Sequence, residues 1–388
     1  DATVRERLEG LRGIYLERVV ERFYPRGELG IEVLGRVAAD GTALGGMELE
    51  LDSILSGEPG LAVVRRDARG EPIPGAMVVV REPVPGLDVY LTLDAELQEI
   101  AEEAIRAAVE RTEAEGGDLL LLDPRTGEVL AAASRRAQAA RSWRGTTEPY
   151  EPGSTIKPLI VAALLAEGKA TLADSVHAED GRYVVGGRTI TDVHGHGWLT
   201  LRDALRVSSN IAMVKMAARL TPEEEYGYLR DFGFGRPTGI RYPSESAGLL
   251  RRPAGWSRYS GASLAIGYEV SVTPLQMALA YAALANGGVL LEPRIVREVR
   301  ARDGRVVRRD PPRAVRRVIS EELAAALRGA LVEVVEGGSG QAASLGPFQV
   351  AGKTGTARAV RGGRYERGAY TASFAGFFPA QDPQLVFL

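Results

Sequence analysis

The chain has 388 residues and a formal net charge of −3 from 48 basic and 51 acidic side chains. That is length enough for two or three domains with a sizeable core, and a balance that gives no field to attract nucleic acid or anionic lipid. A hydrophobic fraction of 45% with 26% charged residues excludes a chain disordered throughout. The absence of cysteine excludes disulfides, thiolate catalysis, zinc ribbons and iron–sulfur ligation, and leaves the redox compartment open.

In chain order, residues 5–21 read as a helix, and the stretch to residue 60 is rich in glycine and turns with short strand-like pieces. Residues 67–74 (DARGEPIP) read as an exposed turn before a strand over 76–81. Glu82-Pro83-Val84-Pro85-Gly86 forbids a continuous element and reads as a linker, dividing an N-terminal region (1–85) from the remainder (86–388). Beyond it come a strand over 88–93, Asp94 as N-cap of an amphipathic helix over 95–113, and a hairpin of 118–123 with 128–134 around Pro124-Arg125-Thr126-Gly127. Helical stretches follow at about 155–167, 201–220, 222–232, 274–286 and 321–336, and strands return at 349–353 and 371–378. Strands at both ends with helices between predict an α+β fold, an antiparallel sheet with segregated helices. No run of 18 apolar residues occurs. The chain opens on Asp1-Ala2-Thr3 without a basic leader and stops at 384–388 (QLVFL) in mid-strand. We therefore expect an excised fragment, whose missing anchor carries no weight.

Only four of the 48 basic residues are lysine: Lys157, Lys169, Lys215 and Lys353. Generic positive charge is supplied by arginine. A surviving lysine is thus a candidate for a place that needs a compact amine able to lose its proton, with chance persistence the alternative for any single one.

Three short motifs could carry chemistry. In Glu151-Pro152-Gly153-Ser154-Thr155-Ile156-Lys157-Pro158 the Pro-Gly pair and Pro158 fix a helix start, with Ser154 in its positive end-field and Lys157 at i+3. A neutral lysine so placed can take the serine proton, and an arginine cannot. The alternative is an N-cap serine beside a surface lysine. In Lys353-Thr354-Gly355-Thr356, strand alternation sets Thr354 and Thr356 on one side to grip a carboxylate. Lys353 adds charge, and Gly355 lets another backbone approach; the alternative is a strand running into a glycine turn. Ser208-Ser209-Asn210, between two helical stretches, could relay a proton and orient an amide, or simply cap a helix. Elsewhere, His194-Gly195-His196 reads as a turn rather than part of a metal site, since neither His177 nor any other residue is indicated as a third ligand. Residues 337–340 (GGSG) read as a flexible loop, and Arg308-Arg309 and Arg316-Arg317 as solvated surface.

Ser-x-x-Lys, then Ser-x-Asn, then Lys-Thr-Gly resembles the motif set of penicillin-binding proteins and class A β-lactamases. The segments LTLDAELQEIAEEAI, LLLLDPRTGEVLAAAS, YEPGSTIKP, VSSNIAM, GFGRPTGI, GYEVSVTPLQMALAYAALANGG, AGKTGTA and TASFAGFFP resemble, in order, a class B penicillin-binding protein, the monofunctional peptidoglycan transpeptidase. FYPRG, GGMELELDSILSG and PIPGA look like its N-terminal non-catalytic region. Ser-Ser-Asn and the stretch 267–276 lean towards the septal branch over the elongation branch.

The resemblance implies a transpeptidase fold with a five-stranded antiparallel sheet and helices on both sides, C-terminally truncated, behind an incomplete pedestal over 1–85. It implies that Ser154 attacks the D-Ala–D-Ala amide of a stem peptide, with Lys157 as base. Ser208 and Asn210 would assist proton transfer, and Lys353, Thr354 and Thr356 would bind the terminal carboxylate beside Gly355. The N–H groups of Ser154 and Thr356 would form the oxyanion hole. It further implies acylation by β-lactams, no cofactor or metal, a single N-terminal membrane anchor with the catalytic domain outside the cytoplasm, and partners among membrane glycosyltransferases and division proteins rather than nucleic acid. The Arg-Gly … Asp-Arg-x-Gly box of the family's N-terminal region is missing. The alternatives are a β-lactamase or D,D-carboxypeptidase, against which stand the missing Glu-x-x-Leu-Asn segment and the extra N-terminal region, and a β-lactam sensor or idle division scaffold.

Overall fold

Asp94 caps the helix that follows it, its carboxylate accepting the N–H groups of Glu96 and Leu97 at 3.0 Å, and α1 runs over Ala95–Thr112. The hairpin β1 (Gly116–Leu122) and β2 (Val129–Arg136) follows in antiparallel register. The computed structural model describes residues 21–136, 142–361 and 364–388, so the helix expected over 5–21 falls, but for its last residue, outside them.

The main helices are α2 (Lys157–Ala166), α3 (Leu201–Arg206), α4 (Asn210–Ala217), α5 (Pro274–Ala285) and α6 (Glu321–Gly337). Strands β3 (Ala351–Arg361), β4 (Arg364–Phe378) and β5 (Leu385–Phe387) complete a sheet of order β3-β4-β5-β1-β2, antiparallel throughout. The last strand in the chain is thus the central one.

Alternation along β1 and β2 explains the layering. Leu119, Leu121, Ala131 and Ala133 pack with Ala101, Leu97 and Ile105 of α1, while Leu120, Leu122 and Ala132 face the main core. Helices therefore cover both faces, as expected. Every residue of α5 is buried; a helix apolar all round belongs in the middle of a protein. Val33, Met47 and Leu51 of the N-terminal region join this same core. The antiparallel ribbon of Leu61–Arg66 with Pro72–Arg81 instead leaves Leu61, Val63, Met77, Val78 and Val80 exposed.

Four expectations need correction. The ribbon's second strand begins at Pro72, not residue 76, because the Asp67 carboxylate accepts the N–H groups of Arg69 and Glu71 and closes the turn early. The stretch 201–220 is two helices broken at 207–209, where Ser208 sits at φ +61°. The strand begun near 349 does not end in a glycine turn, since β3 stays paired with β4 as far as Arg361↔Arg364. Lys353-Thr354-Gly355 is mid-strand. Arg308, Arg309 and Arg316 are ion-paired to Asp310, Glu298 and Asp231 rather than merely solvated.

Candidate active site

Pro158 brings no N–H, so the α-helical ladder cannot extend back through it. Residues Gly153–Ile156 form a 3-10 turn instead, and α2 starts at Lys157. In 3-10 geometry positions i and i+3 eclipse, which stacks Lys157 behind Ser154. The turn is anchored from three sides. The Tyr281 hydroxyl, from the middle of α5, donates to the Thr155 carbonyl at 2.9 Å in a fully buried contact. Gly153, at φ +55°, donates its N–H to the Gly267 carbonyl at 3.2 Å. The Glu151 carboxylate accepts the Glu269 N–H at 3.0 Å and the Tyr365 hydroxyl at 3.1 Å. Ser154 remains partly exposed while Lys157 is 0% exposed.

The α3–α4 break delivers the second motif. Lys157 Nζ donates to the Ser208 carbonyl at 2.7 Å and Asn210 Oδ1 at 2.8 Å, with Ser208 Oγ at 3.3 Å. The first two oxygens can only accept. An uncharged amine has two N–H bonds, which match those two oxygens and leave its lone pair for a hydroxyl proton. Burial, then the Lys353 charge, hold the Lys157 ammonium well below its ordinary pKa, against the opposing pull of Asp192, so the uncharged form is accessible. Ser209 does what the capping alternative envisaged: its hydroxyl accepts the Ala212 N–H at 3.0 Å.

The third motif lies on β3, an edge strand. Lys353 is 0% exposed; its Nζ donates to Ser208 Oγ at 2.8 Å, and burial pulls its pKa down to about 7. Ser208 Oγ thus bridges the two buried amines. Thr354 and Thr356 lie on the accessible side of the strand, with Gly355 buried between them. A Cβ on Gly355 would lie 2.8 Å from the Pro152 carbonyl oxygen and 2.6 Å from Ser373 Oγ. The glycine therefore admits the close backbone approach expected of it, and the approaching backbone is the turn that carries Ser154.

All the singled-out residues of the three motifs converge on one face between the sheet edge and the helices. Three contributors were missed. Ser339, in the segment read as a flexible loop, is held by its N–H on the Arg206 carbonyl and places Oγ 3.1 Å from Thr354 Oγ1 and 3.5 Å from Lys353 Nζ. Tyr281 looks from sequence like one more apolar position of α5. Asp192, on the loop after the strand Arg188–Thr191, obeys no spacing rule relative to Ser208. The His194-Gly195-His196 bend follows directly on from it.

Residues 117–388 match the penicillin binding protein transpeptidase domain, and residues 2–91 the penicillin-binding protein dimerisation domain. The chain belongs to the penicillin-binding protein transpeptidase family. It is 35% identical over 390 residues to a probable peptidoglycan D,D-transpeptidase, PenA, of Neisseria meningitidis, covering 97% of this chain and 65% of that protein. With stage V sporulation protein D of Bacillus subtilis it shares 34% identity, covering 97% of this chain and 60% of that protein. The chain thus spans less than two thirds of the length of these relatives. Penicillin binding protein 3 of Mycobacterium tuberculosis superposes with a TM-score of 0.85 at 32% identity, covering 95% of this chain and 83% of that one, and has been solved with aztreonam and with ampicillin.

Proposed function

We propose that the protein is a serine D,D-transpeptidase that cross-links peptidoglycan stem peptides and is acylated by β-lactams. The observation that carries this reading is the wholly buried Lys157, its amine hydrogen-bonded to the Ser208 carbonyl and Asn210 Oδ1, three residues on from a partly exposed Ser154 in the same turn. Ser154 Oγ attacks the carbonyl of the D-Ala–D-Ala amide as its proton passes to Lys157. The C–N bond breaks, and the leaving D-Ala amine takes a proton through Lys157 and Ser208. The acyl group rests on Ser154 as an ester. An amine of a neighbouring stem peptide then attacks that ester, freeing the serine and forming the cross-link. Lys353 as a cation, with Thr354 and Thr356, binds the terminal carboxylate. Backbone N–H groups of Ser154 and Thr356 hold the developing oxyanion, Thr356 lying on the free edge of the sheet. Asn210 keeps its Oδ1 on Lys157 and orients the donor peptide.

The reading extends to the septal branch, on Ser-Ser-Asn and residues 267–276. It also includes an N-terminal anchor with residues 86–388 outside the cytoplasm, and docking of a membrane glycosyltransferase and division proteins through residues 1–85. Among the described residues no helix is long and apolar enough to cross a membrane.

Intact-mass analysis after exposure to penicillin, with peptide mapping, tests the chemistry. A penicilloyl adduct on Ser154 that persists for many minutes, and is lost in Ser154→Ala, is the expected result. Rapid loss of the adduct would favour a hydrolase, and an unmodified Ser154 would end the reading.

A further inference from the structure

The site has a rim that none of the three motifs supplies. Strands Arg182–Val185 and Arg188–Thr191 form an antiparallel hairpin. It is rooted on the second motif, where the Thr191 carbonyl accepts Asn210 Nδ2 at 2.9 Å. Its tip is pinned by Tyr259, whose hydroxyl donates to the Gly186 carbonyl. Gly186, at φ +55°, makes the room: a Cβ there would lie 2.4 Å from Tyr259 Cε1. The segment that anchors the serine's turn meets this hairpin with Glu269, at φ +60°. That left-handed conformation costs energy in any residue with a side chain and persists only where the surroundings hold it. Here Ser260 Oγ and Arg251 donate to Glu269 Oε2 at 2.8 and 2.9 Å, and Glu151, three residues before Ser154, accepts its N–H at 3.0 Å.

Arg188 joins the two sides. Its guanidinium lies 4.4 Å from the centre of the Tyr259 ring and 4.0 Å from Glu269 Oε1. Arg258 lies 4.7 Å from the same ring centre. Three guanidiniums against the carboxylates of Glu269 and Glu151 leave the rim with a positive excess. The Arg188 side chain is 59% exposed, and among the described residues its guanidinium makes no hydrogen bond. An ordinary surface arginine swings freely. This one is held by the ring and by Glu269, with its planar fork of N–H donors unspent, and that fork matches a carboxylate. We propose that Arg188 is a specificity-determining residue, whose guanidinium binds a carboxylate of the stem peptide other than the terminal one assigned to Lys353, Thr354 and Thr356. Glu269 is its tether, since Arg251 and Ser260 engage that carboxylate more closely than Arg188 does. The proposal deepens the transpeptidase reading and rests on it. The carboxylate belongs either to the donor peptide or to the acceptor, beside its attacking amine.

Two rate comparisons, read by mass spectrometry, separate these sources. In the first, donors ending in D-Ala-thioglycolate, one with a free side carboxylate upstream and one with that carboxylate amidated, are compared by the rate of acyl-enzyme formation. In the second, amine acceptors with a free or an amidated carboxylate beside the amine are compared by the rate of transfer from the acyl-enzyme. Wild type should favour the free carboxylate by about tenfold or more in one comparison, as a charge-assisted pair implies, and that comparison names the source. Arg188→Gln should bring the preference to within about twofold. Arg188→Lys, a charge without the fork, should keep only part of it, and Tyr259→Leu, which removes the platform, should weaken it likewise. Circular dichroism checks the fold of each variant. A preference that survives Arg188→Gln, a wild type indifferent to amidation in both comparisons, or a wild type that penicillin acylates and neither donor does, overturns the subsite alone. A wild type left unmodified at Ser154 by penicillin and by both donors overturns the transpeptidase reading, and the subsite with it.

Discussion

Two of the four lysines are wholly buried within 3.3 Å of one hydroxyl, that of Ser208. The other two are surface residues with acidic partners, Lys169 with Glu224 and Lys215 with Glu179. The sparing use of lysine therefore did carry information. At Lys157 the site needs a small amine that can shed its charge, and a guanidinium there would stay protonated at any accessible pH. Lys157→Arg should abolish penicillin labelling, with a loss of about a thousandfold or more for a missing base, while far-UV circular dichroism checks that the fold is retained. The opposite requirement holds at Lys353, which must remain cationic to receive a carboxylate. With its pKa pulled down to about 7, acylation should also fall as pH rises through that value. Because the amines share Ser208, the two limbs belong to the pair rather than to either residue.

At the scale of elements, the turn of Ser154 was legible because proline and glycine punctuate it. Pro158 forbids an earlier α-helical start, and the structure answers with a 3-10 turn. Gly355 was legible for the same reason, as an absent side chain in an apolar strand. Gly355→Ala should force β3 away from the Pro152 carbonyl and cut acylation by roughly ten- to a hundredfold, with a smaller effect on thermal stability; labelling rates and calorimetry would separate the two. Asp192 and Ser339 were illegible, because tertiary folding and not local spacing brings them to the site. The helix Pro222–Asp231 holds another feature that the sequence hides. Thr221 and Glu224 close its N-terminus in a capping box, and the next residue, Glu225, is 3% exposed, so that burial pushes its pKa up to about 8. The unfolded chain releases that proton in the ordinary carboxylate range and the folded chain near 8. The folded state therefore loses stability as pH climbs through this window. Glu225→Gln should flatten the decline in melting temperature between about pH 5 and 9.

For the whole molecule, the order of strands and helices was enough to predict an antiparallel sheet with segregated helices, while helices on both of its faces, and what the motifs do together, came from the family resemblance. How the N-terminal region sits was legible from neither, because Val33, Met47 and Leu51 are three ordinary apolar residues whose burial in the common core depends on partners far along the chain. The Tyr242 hydroxyl adds a polar tie, accepting the Trp143 N–H at 2.9 Å and donating to the Glu32 carbonyl at 2.8 Å. Tyr242→Phe leaves the buried Trp143 donor unmatched and should cost about 1–3 kcal/mol of stability, read from denaturant unfolding.

The Tyr281 hydrogen bond to the Thr155 carbonyl fastens the nucleophile's turn to the most deeply buried helix of the protein. Such a turn has no private route to disorder, since freeing it means prising open the interior. Competence to take up a drug covalently should therefore vanish on heating at the same temperature as protection of the α5 amides from solvent deuterium, which makes a fluorescent penicillin a gauge of how much intact protein a sample holds.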